Sequence, residues 1–120
     1  MNYKLLALDL DGTLLNDNGE ISPENLSSIE KAGAAGTKVI ITTGRSYPSA
    51  KKYIYQVNSP DPAITYTGAV IQNHEKIIRR TTINNELTGS LLKTLKDAGY
   101  FPIIYLTPIF TASQTYKMPD

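Results

Sequence analysis

The apolar positions in the first half of the chain form short continuous runs separated by stretches of helical spacing. Leu5-Leu6-Ala7-Leu8 is unbroken rather than alternating, which predicts a strand buried on both faces. Lys38-Val39-Ile40-Ile41-Thr42 is a second, β-branched run, and Ala63 to Tyr66 is a third. Between the first two, Leu26, Ile29, Ala32 and Ala35 lie on one helical face. Ser22 is placed to cap that helix, Pro23 to start it and Gly36 to stop it. Between the second and third runs, Ala50, Tyr53, Ile54 and Val57 repeat the pattern after a capping Ser46. Asn58-Ser59-Pro60-Asp61-Pro62 then breaks the helix. Strand, helix, strand, helix, strand in this order predicts an α/β fold with three parallel strands and right-handed crossovers.

Beyond Thr67-Gly68 the pattern changes. Ala69 to Gln72 and Lys76 to Arg80 flank Asn73-His74-Glu75, which predicts a β-hairpin with a polar loop. Leu87, Leu91, Leu92, Leu95 and Ala98 mark a third helix, entered near Asn84 or Asn85 and stopped by Gly99. Phe101 to Leu106 and Ile109 to Ala112 read as two more strands around Thr107-Pro108. A boundary near Thr81 divides the chain into 1–80 and 81–120. No internal repeat or low-complexity tract interrupts either part.

Composition narrows the function classes. Twelve Lys and Arg against eleven Asp and Glu leave a formal charge of +1. Lys51-Lys52 and Arg79-Arg80 are isolated pairs rather than the clustered basic face that nucleic acid requires. The absence of cysteine excludes a disulfide framework and thiolate metal sites. No run approaches the ~18 apolar residues of a membrane span, and the N-terminus lacks a signal-peptide pattern. The expectation is a soluble cytoplasmic protein that binds neither nucleic acid nor membrane.

The polar residues that could do chemistry follow the strands. Ligands of open parallel sheets sit beyond the carboxyl ends of the strands. There the first strand delivers Asp9 and Asp11, the second Thr43-Gly44-Arg45, and the third Thr67-Gly68. Asp9 and Asp11, one residue apart, repel each other unless a cation compensates. A hard divalent ion with oxygen ligands would do so, and Mg²⁺ suits the arrangement. Gly12 allows a sharp turn in which the amides of Leu10 and Asp11 could face phosphate oxygens. The plain alternative is that Asp9 and Asp11 are ordinary turn formers at a strand end. Asp11 to Gly19, rich in Gly, Asn and Asp, predicts a compact loop or hairpin over the same place. His74, the only histidine, fits a solvated loop, and Tyr47, Tyr53 and Tyr55 fit packing or surface positions rather than stacking platforms.

Asp9-Leu10-Asp11-Gly12-Thr13-Leu14 after an apolar strand resembles the first motif of the haloacid dehalogenase (HAD) superfamily. Within it the whole chain is similar to the Cof-type sugar-phosphate phosphatases, whose Rossmann-like core carries an inserted α/β cap after the third strand. The resemblance implies Mg²⁺-dependent hydrolysis of small phosphorylated metabolites through an aspartyl-phosphate. Asp9 would be the nucleophile and Asp11 the general acid and base. Asp9 and the Asp11 backbone carbonyl would hold the metal, while Leu10, Asp11, Gly12, Thr43 and Gly44 would cradle the phosphoryl group. Thr43 matches the hydroxyl of the second motif, in preference to Thr42, because Gly44-Arg45 sets the register. Arg45 would support the loop or the substrate's charge, or simply begin a helix. Thr67-Gly68-Ala69 departs from the Asn-Gly-Ala usual in these relatives, and Thr67 lacks the amide's paired donor and acceptor.

The same resemblance implies a lysine and a Gly-Asp-x-x-x-Asp-type motif after the cap, and neither has a counterpart here. Lys93, Lys96 and Lys117 fall in the cap-like part. The expectation is therefore a partial core, weak Mg²⁺ binding, and an open edge on the first strand prone to self-association. A non-catalytic remnant or binding module is the competing reading. Phosphoryl transfer to a second substrate is a third.

Overall fold

The computed structural model describes residues 3–59 and 62–105. The chain divides into two units, the first Met1–Thr82 and the second beginning at Ile83. In the first, β1 (Leu5–Leu8), α1 (Pro23–Ala34), β2 (Lys38–Ile41), α2 (Tyr47–Gln56) and β3 (Ala63–Thr65) follow in order. The hairpin strands β4 (Val70–Gln72) and β5 (Ile77–Arg80) come next. The architecture is α/β, with a parallel sheet at the N-terminus.

β1 and β2 pair in parallel, Leu5 beside Lys38 through Leu8 beside Ile41. The third strand joins more loosely than the sequence suggests. β3 meets β2 through one parallel bridge, Thr42 with Ile64, where the Thr43 N–H donates to the Ile64 carbonyl at 2.9 Å. β3 instead makes its regular ladder with β4, antiparallel, and β4 with β5, which contains a bulge at Ile71/Gln72.

The helices begin where their caps require. The Ser22 hydroxyl accepts from the Asn25 N–H, and the Ser46 hydroxyl from the Ser49 N–H. Each occupies an orphan donor of a first turn, a contribution of about 1 kcal/mol. Gly36 closes α1 with φ +85, a left-handed conformation natural to glycine. Against the sheet, Ile29, Ala50, Tyr53, Ile54 and Val57 join Leu10, Leu14, Ile21, Val39, Ile41, Tyr47 and Ala63 in one core. Leu10 and Ile41 are essentially inaccessible. Burial of each contributes roughly 1.5–3 kcal/mol relative to exposure.

Three expectations need correction. β1 is not buried on both faces: Leu6 and Leu8 pack on the core, but Leu5 and Ala7 are exposed. Successive side chains point to opposite faces, and among the described residues nothing covers the outer one. The third strand stops at Thr65, because Tyr66 and Thr67 take φ of +52 and +53 and turn the chain. Residues 101–105 form no strand. An apolar run becomes a strand only where another segment takes up its backbone ladder, and 101–105 belong to no strand pairing among the described residues. Leu106 and Ile109 to Ala112 lie outside the described residues.

The second unit contains α3 (Asn85–Asp97), the predicted third helix. The Asn84 side chain accepts from the Leu87 N–H at 2.7 Å, and Gly99 ends the helix with φ +80. Among the described residues no helix is long and apolar enough to cross a membrane.

Candidate active site

The segments that leave β1, β2 and β3 converge beyond the same end of the sheet. After β1 the backbone makes one wide turn, in which the Leu14 N–H donates to the Asp9 carbonyl at 3.2 Å and the Leu15 N–H to the Leu10 carbonyl at 3.0 Å. Such five-residue hydrogen-bonded turns recur at functional sites. Gly12 sits inside it at φ +73, ψ 5, which a Cβ would disfavour. Leu10 and Leu14 anchor the turn by burying their side chains. Only the main chain of Leu10 is therefore available to a ligand.

The loop after the turn closes on itself through Asn16. Its side-chain carbonyl accepts from the N–H groups of Asn18 and Glu20, both at 3.0 Å, and its own N–H donates to the Glu20 carbonyl at 2.9 Å. A single antiparallel bridge, Leu15 with Ile21, ties its ends. The turn-former density in the sequence is thus realised as a small hairpin-like loop.

The loops after β2 and β3 are laced together by backbone bonds. The Tyr66 N–H donates to the Arg45 carbonyl at 2.9 Å, and the Thr67 N–H to the Thr43 carbonyl at 3.3 Å. A Cβ on Gly44 would stand 3.4 Å from the Thr67 hydroxyl oxygen, so the two loops lie in contact there. Thr43 is buried, and its hydroxyl oxygen accepts from the Arg45 N–H at 3.1 Å. The hydroxyl proton is left to donate elsewhere.

Two charged groups join the strand ends. Arg45 grips Asp11 with both arms of its guanidinium, Nε to Oδ2 at 2.8 Å and Nη2 to Oδ1 at 2.6 Å. This bidentate geometry is the strong form of an arginine–carboxylate pair. Hydrogen bonding to Arg45 holds the Asp11 carboxyl below its ordinary value of 3.8 against an opposing desolvation, and Asp11 in turn pushes the guanidinium up. Asp9 is half-buried, and its carboxylate touches only the Thr13 hydroxyl, at 3.5 Å, among the described residues. One carboxylate is open to a ligand and the other is clamped.

Tyr53 is the residue that sequence reasoning left among the packing positions. It is 3% exposed, yet its hydroxyl donates to the Gly19 carbonyl at 2.9 Å and lies 3.4 Å from Arg45 Nη1. The Lys52 ammonium stands 4.5 Å from the ring centroid. Hydrogen bonding to Lys52, and then to Arg45, lowers the phenol from its usual 10.0. The available signal was a tyrosine on the buried stripe of α2, where a buried hydroxyl needs a partner.

Among the described residues no three His, Cys, Asp or Glu side chains cluster closely enough to cage a metal. What the turn does offer is the open Asp9 carboxylate and main-chain carbonyls, all hard oxygen donors. That set fits Mg²⁺, which typically takes one or two carboxylates and fills its remaining positions with water and substrate phosphate. The Asp11 carboxylate, held by Arg45, is not free to join it; its backbone carbonyl is the group left to serve.

The family model for haloacid dehalogenase-like hydrolases matches residues 6–118. The chain belongs to this family. YxeH of Bacillus subtilis (strain 168) is 40% identical over 98% of this HAD-like chain and 38% of its own length. A solved HAD-like hydrolase from B. subtilis superposes with a TM-score of 0.70 at 31% identity, over 80% of this chain and 34% of that one. The HAD subclass IIB sugar phosphatase BT4131 gives 0.67 at 30% identity, over 80% and 38%. The HAD-like chain thus spans less than two fifths of these relatives. Its part of the fold carries the Asp9–Leu14 motif, which the wide turn presents next to Thr43 and Arg45.

Proposed function

We propose that this chain supplies the nucleophile and the acid–base group of a Mg²⁺-dependent phosphomonoester hydrolase. The observation that carries the reading is an open Asp9 carboxylate two residues from an Asp11 that Arg45 holds from the neighbouring strand end. Asp9 attacks phosphorus, the P–O bond to the alcohol breaks, and the phosphoryl group is left on Asp9 as an acyl phosphate. Asp11 gives its proton to the departing alkoxide, then takes one from the water that attacks the acyl phosphate, releasing phosphate and regenerating Asp9. The Thr43 hydroxyl and the amides of Leu10, Asp11, Gly12 and Gly44 donate to the phosphoryl oxygens. Mg²⁺, held by the Asp9 carboxylate and the Asp11 carbonyl, would neutralise phosphoryl charge.

In the clamped state Asp11 is ionised and cannot act as an acid. An incoming phosphate dianion competes for the Arg45 guanidinium and returns Asp11 to a value at which it can carry a proton. Arg45 is thus shared between acid and substrate. Likeness to a protein named as a sugar phosphatase supports a small phosphorylated metabolite, such as a sugar phosphate, as substrate. A cytoplasmic location, a partial core over 1–80 and the start of a cap over 81–120, with Thr67 and Gly68 flanking the substrate, belong to the same reading. So does pairing through the open edge of β1, which sedimentation of the 120-residue chain as a monomer would rule out.

The deciding experiment is hydrolysis of p-nitrophenyl phosphate by a longer protein that contains this chain, with and without Asp9→Asn. Loss of turnover on substitution, and on chelation of Mg²⁺, supports the reading; unchanged turnover ends it. The clamped Asp11 favours one other reading, a module that binds phosphate or metal without turnover. Phosphate binding with no hydrolysis by the longer protein would select it.

A further inference from the structure

Tyr53 stands at the junction of three segments that the proposed chemistry treats separately. Its ring is buried in the core from α2, which fixes the hydroxyl in space. That hydroxyl donates to the Gly19 carbonyl at the tip of the Asn16–Glu20 loop, 34 residues away in sequence. The same oxygen accepts from Arg45 Nη1, the one guanidinium nitrogen that Asp11 leaves unused. Gly19 suits the contact: its φ is +71, and a Cβ there would stand 3.9 Å from the Tyr53 oxygen. Packing alone needs no hydroxyl, and a phenylalanine would fill the same space.

We infer that Tyr53 is a positioning residue, whose single hydroxyl fastens the Asn16–Glu20 loop and the Arg45 guanidinium to α2. The loop is then set by the same atom that orients the clamp on Asp11. Displacing Arg45 toward a phosphate would take away one partner of the hydroxyl that holds the Gly19 carbonyl, so ligand arrival and loop placement are coupled. This coupling rests on the phosphatase reading, whereas the fastening itself does not.

The test uses Tyr53→Phe, which keeps the ring and its burial, in the isotopically labelled 120-residue chain. Loss of one hydrogen bond worth about 1 kcal/mol should speed amide exchange at Gly19 and Glu20 by roughly five- to tenfold. The Gly19 carbonyl carbon and Arg45 side-chain N–H resonances should shift with it. Exchange at Ile40, inside the parallel pair, should stay within twofold, which separates loop release from general unfolding. Unchanged Gly19 and Arg45 signals in a folded Tyr53→Phe protein would overturn the fastening. If the fastening holds, adding inorganic phosphate should perturb Gly19 in the parent chain and not in Tyr53→Phe. Equal perturbation in both would overturn the coupling. None of these readouts requires hydrolysis, so failure of Asp9→Asn to abolish turnover remains a separate result.

Discussion

Arg45 closes on Asp11 with two hydrogen bonds, at 2.8 and 2.6 Å, and so links the exits of two adjacent parallel strands. The pair is partly solvated, and its value therefore depends on ionisation rather than on burial. Because the Asp11 pKa is depressed in the folded protein, its contribution to stability is complete above the ordinary value of 3.8. It is lost as the pH falls through the depressed value. Arg45→Ala should thus be less stable than the parent chain at pH 7, and the gap should narrow steadily below pH 3.8. Urea denaturation across that range measures it. A gap that widens on acidification would contradict the ion pair.

Thr67 occupies φ +53, ψ +39, a region that disfavours β-branched side chains. The backbone bond from its N–H to the Thr43 carbonyl holds it there. Thr67→Asn should relieve about 0.5–1 kcal/mol of that cost, since Asn enters this region more readily. Thr67→Gly should do at least as well. Both raise the denaturation midpoint without altering the denaturant slope, and a lowered midpoint in both would show that no strain is stored.

Gln72 is fully buried, and among the described residues neither its amide nitrogen nor its carbonyl oxygen has a hydrogen-bond partner. A cavity of about 30 Å³ lies against it, lined also by Tyr47, Ser59, Asn73 and His74. Unsatisfied buried groups cost roughly 1–3 kcal/mol, more than a packed apolar side chain of similar length. Gln72→Met should stabilise the chain by about 1 kcal/mol in thermal or urea unfolding. Destabilisation instead would indicate an ordered water in that cavity bridging the amide.

Gly12 has open space around the position of a Cβ, with nothing within 4 Å. Gly12→Ala should therefore cost only the left-handed backbone penalty, about 1 kcal/mol, in stability. In a longer catalytic protein the same change should reduce phosphate ester hydrolysis more than stability, because the turn carrying Asp9 and Asp11 would rotate. Equal activity would remove Gly12 from the phosphate cradle.

Much of the order and type of the elements was readable from local information. Ser22, Pro23, Ser46, Asn84, Gly36 and Gly99 mark helix ends through bonds to neighbours a few residues away, so their meaning survives without the rest of the fold. The same holds for Asp9 to Leu14, whose acidic pair and glycine after an apolar run point to one turn and one chemistry. Relations across the chain were not readable. That Arg45 clamps Asp11, and that Tyr53 reaches Gly19, each depend on residues 34 positions apart. Likewise, Phe101 to Tyr105 has a strand's composition but forms no strand, and Leu5 has a core residue's chemistry and an exposed place. Local preference acts over a few bonds, whereas pairing, burial and ion contacts exist only once distant segments have been brought together.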